Sequence, residues 1–331
     1  MKTKETIGID VSKLTIDVSI HSNQMFETFE NSNIDFKTMI NWVYKSSCFS
    51  KDEILFVFEH TGLYSLELSF FLSENNIPFT VVPGLAIRRS LGITRGKDDR
   101  IDARNIALYA YRLKEEIKPY KMMSKNLITL KSLLALRERF VKQRAGYKAS
   151  LKEQKRVLTK KDNQVLLDSQ EKVINQLSKL IDNVEREMED IIKADDNLKN
   201  IFELIISVKG VGKQTALYMI VCTNAFTKFD NARKFASYCG IAPFPHSSGT
   251  SIRGKTKVSN LANKTVKSLL NLCAIVAIQH NPEMKQYYER RTKEGKNKMS
   301  TINIIRNKIL ARIFAVVDRK TPYVDIMKYA A

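Results

Sequence analysis

Four carboxylates and a serine stand where their types and spacing suit phosphoryl chemistry. Asp10 lies in the β-branched run Ile7–Val11, and Glu59 directly follows the apolar run Ile54–Phe58. Asp99 and Asp102 are three residues apart in Asp99-Arg100-Ile101-Asp102-Ala103, so at a helix start they share one face. Hard carboxylate oxygens that converge at a sheet edge suit Mg²⁺ or Mn²⁺. Two such ions about 3.5–4 Å apart stabilise the attacking and leaving oxygens of a phosphodiester. Plain structural roles exist too: Asp10 as a turn cap, and Asp99 and Asp102 as acids complementing a helix dipole. Asp10 and Glu59 fit such roles poorly, because a buried charge needs a partner. Asp17 repeats the strand pattern and reads as a solvent-facing or supporting acid. The serine belongs to Ser247-Ser248-Gly249, in a polar loop after Gly240, with Arg253, Lys255 and Lys257 following. A serine beside glycine among cations can approach a phosphate and act as a nucleophile where a metal or base lowers its proton affinity. His246 is the nearest base. Most Ser/Gly/Thr loops are inert, so the stretch alone assigns no catalysis.

The elements that would position the acids are α/β in character. Ile7–Val11 and Leu14–Ile20 read as strands joined through Ser12-Lys13, as a hairpin or one bent strand. Ser32 to Tyr44 reads as a helix with Ile34, Phe36, Met39, Ile40 and Val43 on one stripe. Ile54–Phe58 has the continuous apolar character of a central strand. Leu63 to Glu74 reads as a helix, and Phe79–Val82 as a strand stopped by Pro83-Gly84. Residues 100–116 read as a helix. Alternating strands and helices favour an α/β sheet.

From residue 124 to 195 the chain changes. Proline is absent there and glycine occurs once, at Gly146. Leu133, Leu136, Phe140, Tyr147, Leu151 and Leu158 keep near-heptad spacing, as do Val173, Leu177, Leu180, Val184, Met188 and Ile191. Lys160–Asn163 reads as a turn between two long helices, which form an antiparallel hairpin or a dimerising coiled coil. Residues 137–161 hold ten Lys/Arg against Glu138 and Glu153, the composition of a helix that meets nucleic acid, with Lys148, Lys152 and Lys155 as candidate contacts. Residues 196–331 read as mainly helical. They open with Ser207-Val208-Lys209-Gly210-Val211-Gly212-Lys213, a glycine-rich turn entering a helix, whose N–H groups can receive a phosphate. The turn resembles a helix-hairpin-helix; it lacks the Walker spacing, and an ordinary glycine cap would look alike. Lys209 and Lys213 are its candidate contacts.

Composition narrows the class. The chain has 331 residues, 44% hydrophobic, with 55 Lys+Arg against 35 Asp+Glu, a net +20. That supports a sizeable core, excludes global disorder and points to a polyanionic partner. Cys48, Cys222, Cys239 and Cys273 lie far apart, with neither zinc-site nor disulfide spacing, and read as buried hydrophobes in a reducing compartment. No apolar run reaches membrane-spanning length and the N-terminus lacks a signal-peptide core. A soluble intracellular location with no membrane partner is expected.

The ordered set IGIDVSK, FEHTG, VVPGLAIRRSLGITRGKDDRIDARNIA, SVKGVGKQTA and YCGIAPFPHSSGTSIRGK resembles the DEDD transposases of the IS one-ten insertion-sequence family, which includes the pilin-gene invertase type. The resemblance covers nearly the whole chain, and the DxxDA start and the GxxP…SG segment are its specific parts. It implies a RuvC-like, RNase H-type α/β domain at 1–120, coiled-coil helices at 121–197, and a mainly helical transposase domain at 198–331. It implies Asp10, Glu59, Asp99 and Asp102 as Mg²⁺ (or Mn²⁺) ligands and Ser248 as a nucleophile forming a phosphoserine. Asp98 stands where the family usually has Thr, and the three-residue step to Asp102 favours Asp99. Ser248 is chosen over Ser247 because the family serine precedes glycine.

The resemblance further implies donor and target DNA as partners, a structured bridge RNA as guide, and a homo-oligomer, dimer or tetramer, in which one subunit's acids work beside another's serine. Arg88, Arg89, Arg95 and Lys97 flank the acids and would hold substrate phosphates, as would Arg253, Lys255 and Lys257 near the serine. Two other readings compete: a RuvC-like junction nuclease using water, and a non-catalytic nucleic-acid-binding coiled-coil protein. An actin-like kinase is disfavoured, because its second phosphate loop cannot be placed.

Overall fold

A computed structural model describes residues 3–90, 92, 99–248 and 252–325; for Asp99, His246, Ser247, Ser248, Ile252, Arg253 and Lys255 only the backbone is described. The chain divides into two compact units, Met1–Met122 and Met123–Ala331.

The first unit is built on a mixed sheet. β1 (Glu5–Val11), β2 (Thr15–Ile20) and β3 (Phe26–Glu30) run antiparallel in succession, while β4 (Ile54–Glu59) and β5 (Phe79–Val82) lie parallel to β1, giving the order β3-β2-β1-β4-β5. Ser12-Lys13 therefore turns a hairpin; Ser12 closes it, its N–H and hydroxyl both donating to the Thr15 carbonyl at 2.9 Å. Strand alternation sorts the two faces. Ile7, Ile9, Phe56 and Phe58 point one way, into a core with Phe36, Met39 and Val43 of α1 (Asn33–Ser46) and Leu68 and Leu72 of α2 (Tyr64–Glu74). Ser32 caps α1 through its side chain, one residue before the helix proper. Leu55, Val57 and Val82 point the other way, onto Ile87 of α3 (Gly84–Ser90) and Ile106, Tyr109 and Ala110 of α4 (Asp99–Arg112).

The second unit opens with two long helices, α5 (Lys125–Val157) and α6 (Gln164–Ala194). Arg137 pairs with Glu185, Arg144 bonds Ser178, and Lys155 pairs with Glu171. The partners descend one helix as they climb the other, so the pair is an antiparallel hairpin within the chain. Its α6 seam is Leu167, Ile174, Leu177, Ile181, Val184, Met188 and Ile192, all buried. The expected stripe shares Leu177, Val184 and Met188, whereas Val173 is exposed and Leu180 and Ile191 are half-buried.

The rest is helical: α7 (Asp196–Ser207), α8 (Lys213–Cys222), α9 (Ala232–Tyr238), α10 (Lys264–His280), α11 (Pro282–Lys293) and α12 (Lys298–Arg319). These share one core with the inner ends of α5 and α6. Between α9 and α10 lies a two-stranded antiparallel ribbon, β6 (Pro243–Ser248) and β7 (Ile252–Val258). Pro243–Ser248 is thus a strand where a polar loop is expected from the sequence. Pro243 and Pro245 mask it there, and a free-edged ribbon tolerates prolines that a central strand would not.

Candidate active site

Asp10 and Glu59 are neighbours at the carboxyl ends of adjacent parallel strands. Ile9 is in register with Phe58, so Asp10 and Glu59 stand one step further along β1 and β4. The crevice beyond the carboxyl ends of parallel strands is where open α/β sheets bind ligands. Both acids are half-buried and lie on the face that α4 covers.

Helix α4 reaches them through a missing side chain. A Cβ on Gly8 would stand 2.1 Å from the Ala103 carbonyl oxygen and 2.3 Å from the Ala107 nitrogen. Two residues earlier on β1, the Thr6 hydroxyl donates to the Ala107 carbonyl at 3.0 Å. Climbing β1 from Thr6 to Gly8 thus moves back along α4 from Ala107 to Ala103. Two strand residues rise about 6.7 Å and four helix residues about 6 Å, so the steps match. The next step sets Asp10 level with the first turn of α4, which carries Asp99 and Asp102. Asp102 is half-buried; the Asp99 side chain lies outside the described residues, as does Asp98.

Glu59 is seated against backbone in the same way. A Cβ on Gly84 would meet the Glu59 carboxylate oxygens at 2.0 and 2.6 Å. Gly84 opens α3, so the carboxylate packs where a side chain would sit. Two residues past Glu59, the Thr61 hydroxyl is buried with no partner among the described residues. An all-oxygen donor set with a snug carboxylate and an orphaned hydroxyl suits a hard divalent ion. Among the described residues no three His, Cys, Asp or Glu side chains are grouped tightly enough to hold one unaided.

Of the two readings of Asp17, solvent-facing or supporting, the structure discards the first. It is in register with Asp10 across β1 and β2, on the same face, and is only 7% exposed. Its carboxylate accepts from the Thr28 hydroxyl at 2.6 Å. Directly opposed residues have Cβ atoms about 4.5–5.5 Å apart, so Asp17 adds negative charge beside Asp10. The signal lay in the alternation: Asp10 and Asp17 are equidistant from the Ser12–Thr15 turn.

The candidate phosphate contacts fall into three groups. Arg88 and Arg89 are exposed in the last turn of α3, while Arg95 and Lys97 lie outside the described residues. Lys148 and Lys152 are exposed on α5, and Lys155 is also exposed but pairs with Glu171 at 2.6 Å. The charge run is less one-sided in space than in sequence, because α6 presents Glu185, Glu171 and Asp168 to Arg137, Lys155 and Lys160. At the glycine turn, Lys209 pairs with Asp325 and Lys213 with Glu189, the latter at 2.6 Å. Gly210 has φ +90°, and a Cβ there would stand 3.0 Å from the Cys273 carbonyl, so this glycine answers to packing on α10. Gly212 stands at the N-cap of α8 and supplies no side-chain cap.

The serine strand sits in the second unit. Ser248 ends β6 opposite Ile252, and Ser247 opposes Arg253. The side chains of His246, Ser247, Ser248, Arg253 and Lys255 lie outside the described residues. Lys257, opposite Phe244, is exposed.

Residues 7–161 match a DEDD transposase family of the IS110 type. Residues 202–289 match the Transposase IS116/IS110/IS902 family. The chain thus carries transposase domains of the IS110 family, whose members cleave and rejoin DNA, and its first unit is of the RuvC-like kind that implies a divalent metal ion. It is similar along nearly its whole length to the pilin gene-inverting proteins of Moraxella bovis and Moraxella lacunata. Each is 27% identical over 97% of this chain and 98% of its own. A protein of insertion element IS110 from Streptomyces coelicolor is 31% identical over 36% of this chain and 29% of its own. No described helix is long and apolar enough to cross a membrane.

Proposed function

We propose that the chain is an RNA-guided DNA recombinase that joins donor and target by serine-mediated strand exchange. The observation that carries this reading is that Asp10 and Glu59 stand on adjacent strand ends, on the face where α4 packs against Gly8 through Ala103 and Ala107. Asp10, Glu59, Asp99 and Asp102 would hold Mg²⁺, which supplies Lewis-acid stabilisation of phosphodiester oxygens when bound. The bare Cα of Gly84 leaves the space in which the Glu59 carboxylate sits.

In the cleavage step the Ser248 Oγ–P bond forms as the P–O bond to the departing strand breaks. The serine proton passes to solvent or a neighbouring base, and the departing oxygen takes up a proton. In the second step a strand hydroxyl attacks the phosphoserine, forms the new P–O bond and restores the serine. The acids belong to one unit and the serine strand to the other. Such a division suits an assembly, dimer or tetramer, in which each subunit contributes one half of a site. The functional parts are then 1–120 for the acids, 121–197 for assembly and nucleic acid, and 198–331 for the serine. The net charge of +20 suits a particle that holds DNA and a guide RNA together. The gene inversion in the Moraxella relatives' names is one outcome of the same exchange.

The test uses purified full-length chain with Mg²⁺, labelled duplex carrying the element's ends, and the RNA that co-purifies. The expected product on a denaturing gel is a protein–DNA adduct that is lost in Ser248→Ala and in Asp102→Ala. Equal cleavage by wild type and Ser248→Ala, with no adduct, would replace this reading with hydrolysis by water. Programmed change of the target upon swapping the RNA tests guidance, and an unchanged target would remove it.

A further inference from the structure

Helices α10 and α12 enclose a cation that no described carboxylate neutralises. Arg306 is 7% exposed on α12, among the buried Ile305, Ile309 and Leu310. Its terminal nitrogens donate to the side-chain oxygens of Asn271 on α10 and of Asn303, the latter at 3.4 Å. Its Nε is buried with no partner among the described residues. Burial depresses its proton affinity, and no neighbouring charge opposes that shift. A guanidinium has five donors in a planar fork that matches two phosphate oxygens at once. Two neutral amide oxygens leave much of that fork, including Nε–H, unused.

The surroundings point to an anion rather than to a structural clamp alone. An apolar residue at 306 would pack with its neighbours and avoid an unpaired buried charge, which is costly in a folded interior. Lys264 and Lys267 lie on the same ridge of α10 as Asn271, at i, i+3 and i+7. The amide that Arg306 orients is tied to the serine strand. Asn303 Nδ2 donates to the Ile241 carbonyl at 2.9 Å, and Asn307 Nδ2 to the same oxygen at 3.1 Å. Ile241 stands two residues before β6.

We propose that Arg306, framed by Asn271 and Asn303, is a phosphate-binding site for a DNA phosphodiester that runs beside the root of the β6–β7 ribbon. The strand's identity rests on the transposase reading, whereas the anion chemistry stands on Arg306 itself. A phosphate seated there neutralises the buried cation and, through Asn303, stiffens the start of the strand that carries Ser248. The free protein then keeps an unfavourable charge that binding relieves, so the site trades stability for affinity.

The experiment compares full-length wild type, Arg306→Met and Arg306→Lys in thermal unfolding, with and without inorganic phosphate, and in salt-dependent binding to a duplex of arbitrary sequence. The expected result for Arg306→Met is a melting temperature at or above wild type without phosphate. Its phosphate-dependent rise should be lost, and the slope of log K against log salt should be shallower by about one. Arg306→Lys should keep the slope and lose most of the rise, because a point charge replaces the fork. An undiminished phosphate rise in both variants, or an unchanged slope in Arg306→Met, would overturn the proposal. If Arg306→Met does not fold, the phosphate rise in Arg306→Lys decides. Neither readout needs recombination, so cleavage by wild type with no adduct, while the phosphate response stays intact, would overturn the serine mechanism and leave this site standing.

Discussion

Replacing Gly8 with alanine tests whether the contact between β1 and α4 sets the acids. The added Cβ would stand 2.1 Å from the Ala103 oxygen, 2.3 Å from the Ala107 nitrogen and 2.9 Å from the Ala107 Cα. All three are backbone atoms, so no rotamer relieves the overlap. Ordinary contact begins near 3.4 Å, so α4 must retreat by roughly 1.3 Å. Forcing extra volume into a packed core costs about 1–3 kcal/mol. For a unit of this size that lowers the melting temperature by roughly 4–15 °C. The retreating helix carries Asp99 and Asp102 away from Asp10, and a misplacement near 1 Å costs on the order of 10²-fold in rate. The assay pairs calorimetry of the full chain with the rate of cleavage of the element's ends. Thr6→Val is the control: it removes the Thr6–Ala107 bond, about 1 kcal/mol, and leaves the close approach intact. Wild-type melting and wild-type rate in Gly8→Ala would refute both the packing and its link to the acids. A lowered melting temperature with an unchanged rate would keep the packing and remove the link.

Gly84→Ala should behave differently, because its Cβ meets the flexible end of Glu59 and not backbone. Near-wild-type melting with a strong loss of metal-dependent cleavage is expected, and retained cleavage would show that Glu59 has room elsewhere. Chelating divalent ions should abolish cleavage while duplex binding persists, since phosphate contacts come from Lys and Arg; cleavage in chelator would remove the metal role. Changing Lys148 and Lys152 to Gln should weaken duplex binding and flatten its salt slope by about two, while adding Lys155→Gln should contribute less because Glu171 already neutralises it. An equal slope in all variants would move the nucleic-acid surface off α5. Iodoacetamide on the native chain should label Cys48, which is exposed, and spare Cys222, Cys239 and Cys273, whose thiols burial pushes up. Rapid native labelling of Cys239 would contradict its place in the core.

Much of the first unit was legible because its signals are local. The run Ile54–Phe58 is apolar throughout and forms the strand between β1 and β5. The stripe Phe36, Met39, Ile40 and Val43 is the buried face of α1. Where the deciding partner lies far along the chain, the same reasoning loses its hold. Phe26–Glu30 buries only Phe29, so its edge strand has almost no alternation to read. On α6 two neighbouring stripes fit the heptad nearly equally, and packing of α5 and the core chose Ile174, Ile181 and Ile192 over Val173, Leu180 and Ile191. The one-signed run on α5 meets its counter-charges 48 residues on at Glu185 and 16 residues on at Glu171, after the turn.

The site shows the same boundary. Asp10, Glu59, Asp99 and Asp102 stand out by type and position, yet the sequence does not state that they meet. The neighbourhood of Asp10 and Glu59 depends on the parallel register of β1 with β4, and the seating of α4 and of the Glu59 carboxylate depends on two glycines, Gly8 and Gly84. Gly8 reads in sequence as a weak point in a strand, where glycine forfeits side-chain packing. In the fold its bare Cα is the surface on which α4 rests, and a four-residue helix step keeps pace with a two-residue strand step. The choice between a solvent-facing and a supporting Asp17 is made by the fold: its distance from the turn mirrors that of Asp10, so the hairpin register turns it toward the same face and buries it. Carboxylates that crowd one face raise the local negative charge and draw positive charge to it, and a hard divalent ion is the species their oxygens select.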